Sequence, residues 1–157
     1  IHTRTREQVI DLAKSYWEGL KGHAHATAER ELGLLVPMHL AGNVKEAEGR
    51  AREGIMGYYR TIGEMRKSYI DWLNGRGAPL PPRLLKTATG DLTFDRVCAE
   101  HAVVGNADSV AAALSELAVK TRAAHILAWM NIGSVPHNLV LESMERFARD
   151  VMPRFVA

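Results

Sequence analysis

The sequence predicts an α/β fold in which parallel strands are covered by helices, and three observations carry that expectation. Residues 125–130, HILAWM, form a short apolar run set between Lys120 and Arg122 on one side and Asn131 and Gly133 on the other, as expected of a strand buried on both faces. Behind it Val140, Met144, Phe147, Ala148 and Val151 recur at spacings of three and four, which puts them on one face of a helix that Pro153 stops. Residues 33–41, GLLVPMHLA, repeat the arrangement, with an apolar run, a short Gly-Asn turn and a helix whose Val44, Ala47, Ala51, Ile55 and Tyr58 share a face.

Taken in order, the chain opens on a helix. Thr5 and Gln8 have capping-box spacing, and Val9, Leu12, Ala13, Tyr16, Trp17 and Leu20 follow as an apolar stripe up to Gly22. In the strand at 33–41, Pro37 has no N–H to donate, so a local bulge is expected there. Asn43 and Glu46 then open the second helix as another capping-box pair. Residues 60–92 read as a loop-rich excursion, because Gly75, Gly77, Pro79, Pro81, Pro82 and Gly90 interrupt a weak periodicity in which residues 65–73 remain helix-compatible with Tyr69 and Trp72 inward. A short helix over 94–100, an extended piece over 101–104 and a helix capped by Asn106 come next. Ser134 is the expected cap of the last helix, with Pro136 in its first turn.

Composition narrows the function classes. At 157 residues and 46% hydrophobic content the chain suits one domain with a real core. Its net charge of +2 comes with neither a basic stripe nor an aromatic-rich reading motif, which argues against nucleic acid. No apolar run approaches the roughly 20 residues of a membrane span, and the first residues lack the pattern of a signal peptide. A single cysteine, Cys98, forbids an internal disulfide and fits a reducing compartment, so a cytoplasmic location is expected. The first residue is Ile, as in a piece of a longer gene product. Strands buried on both faces need more neighbours than two or three strands supply, so the sheet is expected to be completed from outside this chain.

The order of the motifs resembles the C-terminal portion of the luciferase-like flavin-dependent monooxygenases. The resemblance lies in LLVPMHLA followed by NVKEAEGRAREGIMGYYR, then VVGNADSVAAALSEL, then HILAWMNIGSVPHNLVLESMERFARDVMPRF, and spans nearly the whole chain outside the excursion. It implies that residues 1–157 are the C-terminal segment of one (β/α)8 TIM-type barrel, helix-rich, with roughly the last two or three strands present. It further implies a monooxygenase in which reduced FMN, delivered by a partner flavin reductase, and oxygen act on a small organic substrate. A deazaflavin-dependent hydride-transfer enzyme and a non-catalytic flavin-binding or assembly protein of the same fold are the alternatives, and homo- or hetero-oligomers are expected. Most catalytic residues would then lie upstream of Ile1.

Ligands of such barrels sit at the carboxyl ends of the strands, which selects residues 38–42 and 129–133. Trp129, Asn131 and Gly133 are the candidate flavin contacts, the indole as a wall and the amide as a hydrogen-bond partner, although Trp129 can equally fill the interior and Asn131 simply make the turn. Met130 and, from the excursion, Arg76 and Arg83 are candidates for the substrate pocket, against the commoner cases of core methionine and solvated arginine. His39 is the candidate catalytic group, since an imidazole at a strand end can hold an oxygen intermediate or move a substrate proton, while a structural histidine is the commoner case. His125 lies early on its strand and is set aside. His23, His25 and Glu29 have the types but not the spacing of a metal site, so no metal is expected. Cys98 reads as a small buried hydrophobe, and Gly105-Asn106 as a helix start with anion-binding capacity that an ordinary N-cap also explains.

Overall fold

The computed structural model describes residues 4–21, 30–81 and 92–155. Helix α1 (Arg6–Leu20) precedes strand β1 (Gly33–Leu40), which leads into the long helix α2 (Val44–Asn74). Then follow α3 (Phe94–Glu100), β2 (Val103–Gly105), α4 (Ala107–Thr121), β3 (His125–Trp129) and α5 (His137–Arg146), and the last helix widens into a π turn at Phe147–Val151 before tightening into a 3₁₀ turn at Met152–Arg154.

The capping residues read from the sequence are where the helices begin. Thr5 and Gln8 make both halves of a capping box on α1, and Asn106 does the same with Ser109 on α4. Asn43 accepts from the Glu46 amide at 2.9 Å, but the Glu46 carboxylate reaches past it to the Gly42 amide, so one side chain caps α2 and ties down the turn before it. Helix α5 differs from expectation. It starts at His137 with Pro136 in the cap position and no side-chain cap, because residues 133–135 are occupied in packing against α2.

The three strands are parallel in the order β2-β1-β3, with Gly33 to Pro37 registered against His125 to Trp129 and Met38 to Leu40 against Val103 to Gly105. That order corrects the barrel expectation. Consecutive strands of a (β/α)8 barrel each lie between their predecessor and successor, whereas here the first strand is central and the second is a three-residue edge. The described residues form a small open α/β sheet with five α-helices, not a closed or closing barrel. Pro37 produces no bulge. It lies where the ladder to β3 ends and the ladder to β2 begins, so its missing N–H interrupts neither.

Leu34, Val36, Met38 and Leu40 alternate along β1 and are all buried, joined in one core by Ile55, Val97, Val103, Val110, Leu114, Ile132, Val140 and Val151. The carboxyl half of β1 is buried on both faces, since Pro37 and His39 are covered as well. β3 is not the doubly covered strand its apolar run suggested: it is an edge, with His125, Leu127 and Ala128 exposed. On α1, Trp17 donates to the Thr121 carbonyl at 2.8 Å and lies under Arg122, while Tyr16 stays at the surface. Helix α2 continues unbroken to Asn74, so residues 60–74 are helix rather than loop, and Tyr69 and Trp72 point outward.

Candidate functional site

Ligands of open α/β sheets bind in the crevice outside the carboxyl ends of the strands. In this chain that place is a crevice of about 300 Å³ lined by Gly42 after β1, Asn106 and Asp108 at the start of α4, and Arg146, Asp150 and Arg154 from the last helix. Each element arrives there for a local reason. The Ala41 amide donates to the Gly105 carbonyl at 3.1 Å, which holds the two strand ends together. The buried Ser143 hydroxyl accepts from the Leu40 amide at 2.8 Å, which seats α5 on β1 and brings Arg146 to the rim, its guanidinium 3.9 Å from the point a Cβ on Gly42 would occupy. The four-residue spacing of Arg146, Asp150 and Arg154 then aligns them along one helical face.

Among the described residues, the charges of this rim are arranged so that one cation is left over. Arg154 pairs with Asp108 at 2.8 Å, and Arg149 grips Asp150 through two hydrogen bonds of 2.8 and 2.9 Å. Arg149 holds the Asp150 carboxyl below its ordinary range, with the charges of Arg146 and Arg154 adding to the effect. With both carboxylates of the rim engaged, Arg146 faces the crevice beside the amino-terminal end of α4, a position of positive potential. The lining holds no thiol, hydroxyl or imidazole. Its guanidinium and the helix amino terminus can bind and orient an anionic group.

His39 lies apart from this lining. Its side chain is fully buried, neither ring nitrogen has a hydrogen-bond partner among the described residues, and burial, helped by Arg50 and opposed by Glu142, holds the imidazole below its ordinary pKa. Arg50 bridges Glu46 on its own helix at 2.7 Å and Glu142 on α5 at 2.6 Å. The structure places His39 at the strand end as expected, but as a neutral interior group. The remaining candidates do not converge on the crevice. Trp129 donates its indole N–H to the Asn131 carbonyl at 2.9 Å and meets Tyr58 edge to face at 5.1 Å. Gly133 has a φ of +60° and presses on the Gly54 carbonyl oxygen, so this trio builds the turn after β3. Met130 is buried in the core beneath the Ser143 hydroxyl. Arg76 stacks on Trp72 at 4.1 Å at the end of α2. Arg83 and the His23, His25 and Glu29 group lie outside the described residues, among which no cluster suited to a metal ion occurs. Burial, with nearby Glu48 adding, pushes the Cys98 thiol up to about 11, which makes it inert.

Sequence reasoning reached Gly42 and Asn106 but missed the three charged residues of the last helix. The signal was present as charges recurring every fourth residue from Arg146 to Arg154, and it was masked by reading that helix only for its apolar stripe. No helix among the described residues is long and apolar enough to cross a membrane.

No protein-family model matches the sequence, and no curated protein matches it. Among solved structures, the crystal structure of the monooxygenase RslO1 from Streptomyces bottropensis matches over 96% of this chain, with a TM-score of 0.66 and 18% sequence identity. This chain covers 39% of the length of that one. At such identity the likeness is one of fold.

Proposed function

We propose that this chain is part of an oxidoreductase of the monooxygenase type, working with a reduced flavin and oxygen on a small organic substrate, and that its crevice receives the phosphate of the flavin. The observation that carries the reading is the fold likeness to a monooxygenase over 96% of the chain. The ordered motifs that resemble the luciferase-like monooxygenases support it independently. Arg146 and the start of α4 fit a phosphate monoester in charge, since a guanidinium beside the positive end of a helix dipole favours such a group. Trp129 and Gly133 fit a flavin ring less well, because the indole is tied to its own turn and the glycine has a backbone carbonyl against it.

A bound reduced flavin supplies the electrons that activate oxygen, and the protein's task is to hold it, orient it and exclude water. In this chain Arg146 neutralises the phosphate, Gly42 keeps the approach open, and the Ser143 to Leu40 hydrogen bond fixes the helix that carries the arginine. The same lining, with no thiol, hydroxyl or imidazole, also favours a second reading: a binding protein that holds the cofactor without reacting.

The test is a fluorescence titration with FMN and with riboflavin, which lacks the phosphate. FMN binds more tightly than riboflavin, and Arg146→Ala weakens FMN at least tenfold, the equivalent of one charge-assisted hydrogen bond of about 1.5–3 kcal/mol, while leaving riboflavin unchanged. Equal affinities for the two ligands sink the phosphate assignment. Oxygen uptake with a reductase separates the enzyme from the binding protein.

A further inference from the structure

The last helix carries a charge ladder that does not close on itself. Glu142, Arg146, Asp150 and Arg154 recur every fourth residue with alternating sign. On a regular α-helix such a run pairs along its own face, an acid one turn before a base being the favoured order. Among the described residues none of these rungs forms. Glu142 is held by Arg50 of α2 at 2.6 Å, Asp150 by Arg149 and Arg154 by Asp108 of α4. The rungs beyond Arg146 are lost for a reason in the backbone: the π turn at Phe147–Val151 widens the helix there, so residues four apart no longer stack. The rung from Glu142 to Arg146 has no such reason. Both residues lie in the regular part of α5, where a spacing of four puts two side chains on one face. What separates them is Arg50.

Arg50 faces two carboxylates, Glu46 on its own helix at 2.7 Å and Glu142 at 2.6 Å, and its side chain is only 28% exposed, so these contacts are little screened. Glu46 is fixed a second time by the Gly42 amide at 2.9 Å, whereas Glu142 has no other partner among the described residues. We propose that Arg50 is a positioning residue for the crevice. By occupying Glu142 it denies that carboxylate to Arg146, whose guanidinium stays beside Gly42 and open to an anion. The consequence for a phosphate rests on the function proposed above; the pairing itself does not. A decoy of this kind differs from a simple tie between α2 and α5. A tie is lost equally whichever partner is removed. Here Arg50→Ala frees a carboxylate that closes the rung onto Arg146 and repels a phosphate, whereas Glu142→Gln breaks the same bridge and leaves Arg146 open.

Two readouts on the full chain test this: FMN affinity by fluorescence titration, and phenylglyoxal modification of Arg146 followed by peptide mapping, which is slower for a guanidinium held in an ion pair. Arg50→Ala weakens FMN about threefold, the competition expected from an i,i+4 ion pair of ordinary strength, and slows the modification of Arg146. Glu142→Gln binds FMN as the wild type does and keeps Arg146 reactive. In the double variant Arg50→Ala/Glu142→Gln both readouts return to those of the wild type. Equal losses in Arg50→Ala and Glu142→Gln overturn the proposal, since Arg50 is then a tie between helices. An Arg50→Ala chain whose Arg146 reacts as fast as in the wild type overturns it as well. If riboflavin binds as tightly as FMN while the reactivity of Arg146 follows the order given, the phosphate assignment of the crevice fails and the role of Arg50 stands.

Discussion

Gly133→Ala is the substitution to which this fold is most sensitive, and Gly77→Ala is its internal control. Both glycines have left-handed backbone, with φ of +60° and +62°. An alanine in that region costs about 1–2 kcal/mol at either position. The surroundings differ. A Cβ on Gly77 would meet nothing within 4 Å, whereas one on Gly133 would run into the Gly54 carbonyl oxygen, with Tyr58 Cβ 3.3 Å away. The contact is reciprocal, since a Cβ on Gly54 would lie 2.5 Å from both the amide nitrogen and Cγ2 of Val135. Backbone meets backbone here, so no rotamer change relieves the overlap, and the turn after β3 must lift from α2. Overpacking of that kind adds about 1–3 kcal/mol. Gly133→Ala therefore destabilises by about 2–5 kcal/mol in total, against about 1–2 for Gly77→Ala, the difference being the contact. For a chain of this size each kcal/mol moves the thermal midpoint by about 2–4 °C. Urea unfolding of both variants at unchanged m-value reads the two terms separately. If the two alanines cost the same within about 1 kcal/mol, the glycine-on-glycine crossing of α2 by the β3–α5 turn is wrong.

Ser143→Ala removes the hydroxyl that accepts from the buried Leu40 amide and strands that donor, which costs about 1–3 kcal/mol. Amide exchange at Leu40 rises by more than the global stability change accounts for; equal changes would mean the hydroxyl is dispensable. His39 and His101 both hold imidazoles below the ordinary value, in each case chiefly through burial. The unfolded chain then binds more protons, so stability is complete above about pH 6.5 and falls as the pH drops from there through the lowered folded values, by at most about 1.4 kcal/mol per pH unit for each group. His39→Leu, which leaves no partner unsatisfied, flattens the fall by its own share. A slope identical to the wild type would show that His39 is accessible to protons in the folded state.

The elements themselves were written locally. Thr5 with Gln8, Asn43 and Asn106 start their helices because an N-cap needs only the three residues after it. The sheet order was not local in that sense. An apolar run states that a strand is covered, but HILAWM is equally apolar as a central strand or as an edge, and only pairing decides. The pairing puts β1 in the middle and leaves Leu127 exposed. The local role of Trp129 was hidden for a similar reason. Its indole N–H finds an acceptor two residues away in Asn131, and the sequence carries no mark of that short-range bond.

The length of α2 connects the fold to the crevice. Glycines at 75 and 77 and the prolines after them suggested a loop-rich excursion, yet they end a helix rather than prevent one, because 31 residues before Gly75 contain no proline. That uninterrupted helix does two separate things along its length. Its first half supplies Glu46, which anchors the turn at Gly42, and Arg50, which links it to Glu142 on the helix bearing Arg146; the crevice is thus held from the α2 side. Its second half leaves the body with the apolar stripe still running. Substitutions in the first half should therefore disturb phosphate affinity, and those at exposed positions of the second half should not. Arg50→Ala and Tyr69→Glu, assayed together for FMN affinity, separate the two halves. If Tyr69→Glu weakened FMN as much as Arg50→Ala does, the helix would have to be treated as one cooperative unit.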